Sequence, residues 1–316
     1  MASTPGRELR QVPVTTLGNG HHLSLAVHTI KGARPGPRMV LFGGIHGDEP
    51  MGSETVRRLV ESIDPEQLSG TVTAVPVANP YSYESGTRHT PQDGLNLNRI
   101  FPGDRRGSLT EQLAAVLIEI LDGADHFIDF HSGGTHPTVE YAYIHRAGAE
   151  MSRAYGCTLL YHHEAYEGSA TGWALENGIA CMVSELGGGG QRTGAYLDRG
   201  VAGGLNVLRT LGMLTGEPTP PPADQYVVTT LSVLRPTVGG ALLSEFPTTS
   251  LLDEIDKDTV LGRVVDPHTF ETLETITAPY QPTVLVLTRE PFTRVWPGDY
   301  GFMVADGATR RQDLPS

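Results

Sequence analysis

The stretch Arg38-Met39-Val40-Leu41-Phe42-Gly43-Gly44-Ile45-His46-Gly47-Asp48-Glu49-Pro50 decides how the chain is read. Its apolar run has no polar alternation, which suits a short strand buried on both faces. The run ends in glycines that leave the backbone room to turn. The turn then presents a histidine and a glutamate three positions apart. Pro50 suits the first turn of a helix, and Val56, Leu59, Val60 and Ile63 follow at helical spacing. The unit is therefore strand, loop, helix, with two potential metal ligands in a glycine-rich loop.

Outward from this unit the same build recurs. Residues 71–77 read as a strand, 110–121 as an amphipathic helix and 126–130 as a strand. Residues 171–177 have a helical pattern, 179–184 are strand-like and 205–214 form a closing helix. Upstream, 9–14 and 22–29 alternate around Leu17-Gly18-Asn19-Gly20 and predict a β-hairpin. Alternating strands and helices predict an α/β fold with a mixed, largely parallel sheet flanked by helices. The prolines at 218, 220, 221 and 222 break that pattern, so residues 216–224 are expected to link a domain over 1–215 to one over 225–316. Beyond the linker, short strand-like runs at 226–234, 241–245, 260–265, 271–276, 283–288 and 300–304 predict a small C-terminal all-β domain, expected to shape or cover the site entrance.

The chain has 316 residues, 39% of them hydrophobic, enough for a full globular core. A formal charge of −13 argues against nucleic acid, whose phosphates need clustered Lys and Arg. No segment has the length and hydrophobicity of a signal peptide or a membrane span, so no membrane partner and a cytoplasmic location are expected. Cys157 and Cys181 cannot build a disulfide framework and read as small buried residues.

Three strand ends carry the chemistry. The first holds His46 and Glu49. The second, Asp129-Phe130-His131-Ser132-Gly133-Gly134, runs an apolar strand into a histidine and two glycines. The third ends in Ser184-Glu185-Leu186, followed by glycines at 187–190, which read as a flexible turn because no phosphate-binding spacing surrounds them. In an open α/β sheet the carboxyl ends of the strands form the ligand crevice, so His46, Glu49 and His131 could meet there. Two His and one carboxylate suit a catalytic zinc, one per chain, with a position left open. Hydrolysis at such a site also needs a proton carrier, and Glu185 suits that task. Each of these residues alone would read as a polar strand end beside a turn; three together do not.

Between the first two strand ends lies a long polar loop, 85–103, holding Arg88, Asn96, Asn98 and Arg99. Its arginines suit either a carbonyl or a carboxylate partner, or plain solvation. Tyr166, in a Gly- and Ser-bearing loop before Glu185, reads either as a substrate contact or as a packed tyrosine. His21-His22 and His162-His163 are neighbours that face opposite ways in a strand and do not chelate one ion.

From the N-terminal hairpin to the end, these motifs resemble the succinylglutamate desuccinylase/aspartoacylase family of zinc hydrolases, similar in fold to zinc carboxypeptidases. The segments 79–88 and 95–103 look closest to its N-acetyl-diaminobutyrate deacetylase branch. The resemblance implies that His46, Glu49 and His131 bind zinc, that Glu185 is the general base and that Arg88 polarises the scissile carbonyl. It further implies that Asn98 and Arg99 bind a substrate carboxylate, and that the substrate is a small N-acylated amino acid or amine. A homo-oligomer is left open. Aspartoacylases use a second arginine shortly before the catalytic glutamate; here no Arg or Lys lies between Arg153 and Arg192. His162, His163, Glu164, Glu167 and Glu176 occupy that stretch and would favour an amine. The alternatives are a metallocarboxypeptidase and, from another class, a non-catalytic metal-binding or carrier module, the latter prompted by Lys257 in an acidic turn.

Overall fold

The computed structural model describes residues 4–188 and 193–314. The strands are β1 (Gly6–Thr16), β2 (His22–Lys31), β3 (Arg34–Gly43), β4 (Ser69–Val75), β5 (His126–His131), β6 (Pro137–Tyr143), β7 (Leu159–Tyr161), β8 (Ala180–Gly188), β9 (Tyr226–Val228), β10 (Leu231–Leu234), β11 (Gly240–Ser244), β12 (Glu254–Ile255), β13 (Val260–Val265), β14 (Thr272–Thr277), β15 (Thr283–Arg289), β16 (Thr293–Val295) and β17 (Phe302–Asp306). The helices are α1 (Pro50–Ser62), α2 (Pro80–Ser85), α3 (Leu109–Leu121), α4 (Ala149–Tyr155), α5 (Ala170–Glu176) and α6 (Thr193–Thr210).

One large sheet runs β1-β2-β4-β3-β5-β8-β6-β15-β17-β10, with β12 beside β15, β7 beside β6 and β9 beside β7. Its centre, β4-β3-β5-β8, is parallel, and antiparallel pairs flank it. A second, antiparallel sheet, β14-β13-β11-β16, lies in the C-terminal part, as the run of short strands predicts. The expected mixed α/β architecture is thus present. Strands after the proline-rich stretch also join the large sheet: β9 pairs with β7, and β15 with β6.

The central strands show why they are apolar throughout. Met39 and Leu41 of β3 pack into one core with α1, α4 and α6, while Val40 and Phe42 pack into another with α3 and α5. Successive side chains point to opposite faces, so a strand covered by helices on both sides needs an unbroken apolar run. Helix α3 is fixed at its start by a capping box, Ser108 and Glu111 each accepting from the other's backbone N–H.

Elements not legible from pattern include α2, β6, α4, β7, β12 and β16. Within β6, Glu140 interrupts the apolar run, and its carboxylate is taken up by the Tyr196 hydroxyl at 3.1 Å and Arg199 at 2.5 Å. Helix α6 begins at Thr193, well before the expected 205. The glycines in its first half look helix-breaking, yet a Cβ on Gly203 would lie 2.5 Å from the Tyr155 carbonyl oxygen, so closeness to α4 requires glycine. Of the turn expected at 187–190, Gly187 and Gly188 continue β8, and the rest lies outside the described residues.

Gly52 sets how closely α1 sits on the sheet, because a Cβ there would meet the Phe130 carbonyl oxygen at 2.1 Å. Gly52→Ala is expected to destabilise by about 1–3 kcal/mol or more in urea unfolding, since overpacking forces helix and strand apart. Gly194→Ala meets nothing within 4 Å and should be neutral or stabilising by up to about 1 kcal/mol.

Candidate active site

Strands β3, β5 and β8 lie side by side and in parallel, so their carboxyl ends open on one edge. His131 and Glu185 are direct register partners there. His46 and Glu49 come from the loop between β3 and α1. Ligand atoms of His46, Glu49 and His131 lie within 4.8 Å of one another, all three residues are buried, and together they could hold a metal ion.

The hydrogen bonds fix which atoms face inward. Glu49 Oε1 lies 2.9 Å from His46 Nδ1, and Oε2 lies 2.7 Å from His131 Nδ1. The far nitrogens are held from behind: His46 Nε2 by Asn96 Oδ1 at 3.1 Å, and His131 Nε2 by Asp129 Oδ2 at 2.9 Å. Imidazoles that ligate metals characteristically have their second nitrogen held this way, which fixes tautomer and ring direction. Two imidazole nitrogens and a carboxylate oxygen, converging at the floor of an open cavity, fit zinc as a donor set. Asp129 and Asn96 stand within the sequence motifs, where nothing local marks their roles.

Charges in the cluster follow from burial and neighbours. Burial brings His46 down to about 4, leaving a neutral imidazole. Burial opposes charge on His131 as well, yet Asp129 and Glu49 hold it well above its ordinary value. Burial alone would raise Glu49, but His46 and His131 keep its carboxyl well below the usual range. For Glu185 burial dominates and pushes it up to about 8, against the pull of His131 and Arg88.

The cluster opens into a cavity of about 720 Å³ that all eight site residues expected from sequence line: His46, Glu49, Arg88, Asn98, Arg99, His131, Tyr166 and Glu185. Arg88 donates from Nη1 to Glu49 Oε1 at 2.8 Å. Asn98 is buried, with its side-chain nitrogen 3.2 Å from His131 Nε2 and its oxygen accepting from Ala170 N at 2.9 Å. Arg99 is exposed and stacks over Tyr166, 4.6 Å from the ring centroid. Both cysteines are buried, and burial raises their thiols to about 12, so neither is a nucleophile.

One expectation needs correction. Glu164, Glu167, Glu176, His162 and His163 do not line the cavity; the His162 ring bonds the Ile144 carbonyl instead. Residues that do line it, and that were missed, are Tyr141 and Tyr143 of β6, Tyr161 of β7, and from the C-terminal part Arg235, Arg289, Asp299 and Tyr300. Basic groups therefore reach the cavity from distant sequence, where the local search could not find them. No helix among the described residues is long and apolar enough to cross a membrane.

With this geometry in hand, comparison with known proteins is specific. The profile of the succinylglutamate desuccinylase/aspartoacylase catalytic domain matches residues 35–211, more than half of the chain. N-alpha-acetyl-L-2,4-diaminobutyric acid deacetylase of Halomonas elongata is 32% identical over 253 residues, 73% of this chain and 71% of that protein. A succinylglutamate desuccinylase/aspartoacylase from Rhodobacter sphaeroides superposes with a TM-score of 0.82 at 25% identity, covering 96% of each chain. The product-bound ectoine utilization protein EutE (DoeB) from Ruegeria pomeroyi shares the fold, with a TM-score of 0.82 at 24% identity over 96% of this chain and 95% of that one. The chain belongs to the succinylglutamate desuccinylase/aspartoacylase family, whose members include deacylating hydrolases.

Proposed function

We propose that this protein is a zinc-dependent deacylase of small N-acyl amino acids, and that N-acetylated diamino acids are preferred over dicarboxylic ones. The observation that carries the reading is the meeting of His46, Glu49 and His131 with Glu185 and Arg88 on one cavity floor. Zinc held by the first three would supply Lewis acidity, making water a better nucleophile and an amide carbonyl a better electrophile. Glu185 accepts the proton that water loses and returns it to the leaving nitrogen; a carboxyl raised toward neutrality suits both transfers. Arg88 places a fixed positive charge where the carbonyl oxygen becomes negative. Arg99, its guanidinium face on Tyr166 and its Nη1 donating to the Asn98 carbonyl, is exposed and keeps further N–H donors to pair with the amino acid's carboxylate.

The preference for a cationic side chain has a different basis from the acids sought in the sequence. Tyr141, Tyr143, Tyr161 and Tyr166 form a connected cluster of rings on the wall next to Glu185, with centroid separations of 5.3, 5.4 and 6.5 Å from Tyr143 to the other three. Tyrosine faces attract an ammonium group. The cavity's additional arginines are already engaged: Arg289 donates to the Tyr300 carbonyl at 2.6 Å, and Arg235 bonds the Gly298 carbonyl and lies over the Tyr300 ring. The Halomonas elongata relative, named for deacetylation of a diamino acid, supports the same choice.

Three outcomes test this. His46→Ala, Glu49→Ala and His131→Ala should each lose zinc together with activity; full zinc occupancy of purified His131→Ala by elemental analysis would remove the ligand assignment. Glu185→Gln should retain zinc while turnover falls by about 10²–10⁴-fold, and near-normal turnover at saturating substrate would mean that another group moves the proton. Zinc-loaded protein should hydrolyse N-acetyl-diaminobutyrate or N-acetyl-ornithine with kcat/KM about tenfold above N-acetyl-aspartate or N-succinyl-glutamate, the size of a good cation–π contact. Amine release is the measurement, and a preference for either dicarboxylic compound overturns the side-chain reading. Peptides in the same assay separate a carboxypeptidase from a deacylase.

A further inference from the structure

The cavity continues past the reacting centre onto a row of apolar side chains, with Arg235 and the buried Arg289 beside it. Val139 of β6, Leu287 of β15, Met303 of β17 and Val233 of β10 are consecutive cross-strand partners: Val139 pairs with Leu287, Leu287 with Met303, and Met303 with Val233. Direct partners in antiparallel strands point to the same face, and all four line the cavity. With strands about 4.8 Å apart, the row spans about 14 Å. Leu231 lines the cavity too at β10, as do Tyr300 and the buried Arg289 beside the row.

The row's position relative to the chemistry is set by β6. Tyr141 pairs across the sheet with Glu185, so the reacting centre lies at that level. Tyr143, against which Tyr166 packs at 6.5 Å, lies to one side of it, and Val139 to the other. Tyr143 and Val139 are four positions apart, about 13 Å along the strand. The end that holds Arg99 and Tyr166 is therefore opposite the apolar row. Arg88, facing the carbonyl, and Tyr300, on the row's side, line the same cavity. A substrate whose carboxylate rests on Arg99 and whose carbonyl meets Arg88 directs its acyl chain onto the row.

We propose that the Val139-Leu287-Met303-Val233 row is an acyl-binding compartment, and that the enzyme's preferred acyl groups are apolar and longer than acetyl. This rests on the deacylase reading above and concerns only the acyl half of the substrate. The reaction is unchanged: water's oxygen joins the acyl carbon, the C–N bond breaks, the nitrogen takes the proton, and an aliphatic carboxylate and an amine leave. A volume of about 720 Å³ is in the range that takes drug-sized ligands, several times what an acetyl group and a small amino acid need.

The test is a chain-length series on one amine: N-acetyl-, N-butanoyl- and N-hexanoyl-diaminobutyrate with the zinc-loaded full chain. Each methylene buried on the row is worth about fourfold, so kcat/KM for hexanoyl should exceed acetyl by at least about tenfold. Val233 is only partly buried, and Val233→Asp should cut the hexanoyl-to-acetyl ratio by about tenfold. Calorimetry with Glu185→Gln gives a readout free of turnover: hexanoate should bind with a more negative heat-capacity change than acetate. If acetyl is hydrolysed as fast as hexanoyl, or the ratio survives Val233→Asp, the compartment is refuted and the deacylase reading stands. If no N-acyl compound is hydrolysed but hexanoate binds with that heat-capacity signature, the deacylase reading falls and the apolar compartment stands.

Discussion

The carboxylate of Glu49 is buried and faces two imidazoles and a guanidinium at once. A charge taken out of water is tolerable only when its partners are held in place, and removing one partner of such a group typically costs about 3–5 kcal/mol. Every backing interaction at the site can be understood as holding those partners. Asn96 and Asp129 lock the ring directions of His46 and His131, and the loop carrying Arg88 closes over the third side. The Gly47 backbone is tied to that loop through the Ser82 hydroxyl at 3.0 Å and the Thr87 carbonyl at 2.9 Å. The arrangement is rigid before any substrate arrives, as electrostatic catalysis requires.

Rigidity of this kind depends on the parallel centre of the sheet. β3, β5 and β8 can sit side by side because helices α1, α3 and α5 lie in the crossovers and, with α6, cover both faces. Register then decides the chemistry. Because His131 and Glu185 are direct partners, a shift of one residue between β5 and β8 would turn Glu185 away from the cavity.

Much of this was legible in the residues themselves. His46, His131 and Glu185 each follow a buried apolar run with glycine close behind, Glu49 stands three positions past His46 in the same loop, and such endings are where an α/β sheet binds its ligands. Arg88, Asn98, Arg99 and Tyr166 needed a family resemblance or a loop of unusual length to stand out, since an isolated Arg or Tyr has an ordinary surface or core explanation. Asp129 lay in plain view two positions before His131, yet its role depends on which ring nitrogen faces it. Tyr141, Arg289, Met303 and Val233 could not be found at all by local pattern. They meet at the cavity through strand pairings that a local pattern does not reveal, above all that of β6 with β15, segments well over a hundred residues apart. The same long-range pairing explains the misjudged acids, for Glu164, Glu167 and Glu176 are near Glu185 in sequence and away from it in space.

The joining of β6 to β15 has a further meaning for the molecule's solubility. β6 carries Tyr141 and Tyr143 into the cavity, and its outer flank is occupied by a strand from beyond the proline-rich stretch. Without that strand, the ladder from Pro137 to Val139 would offer unpaired amide and carbonyl groups beside Leu287's vacant place, an open template for another chain. The C-terminal segment thus acts as the sheet's own edge protection. A piece of the protein ending near Thr215 would trade an internal pairing for an intermolecular one, and aggregation rather than a smaller enzyme is the natural fate of such a fragment.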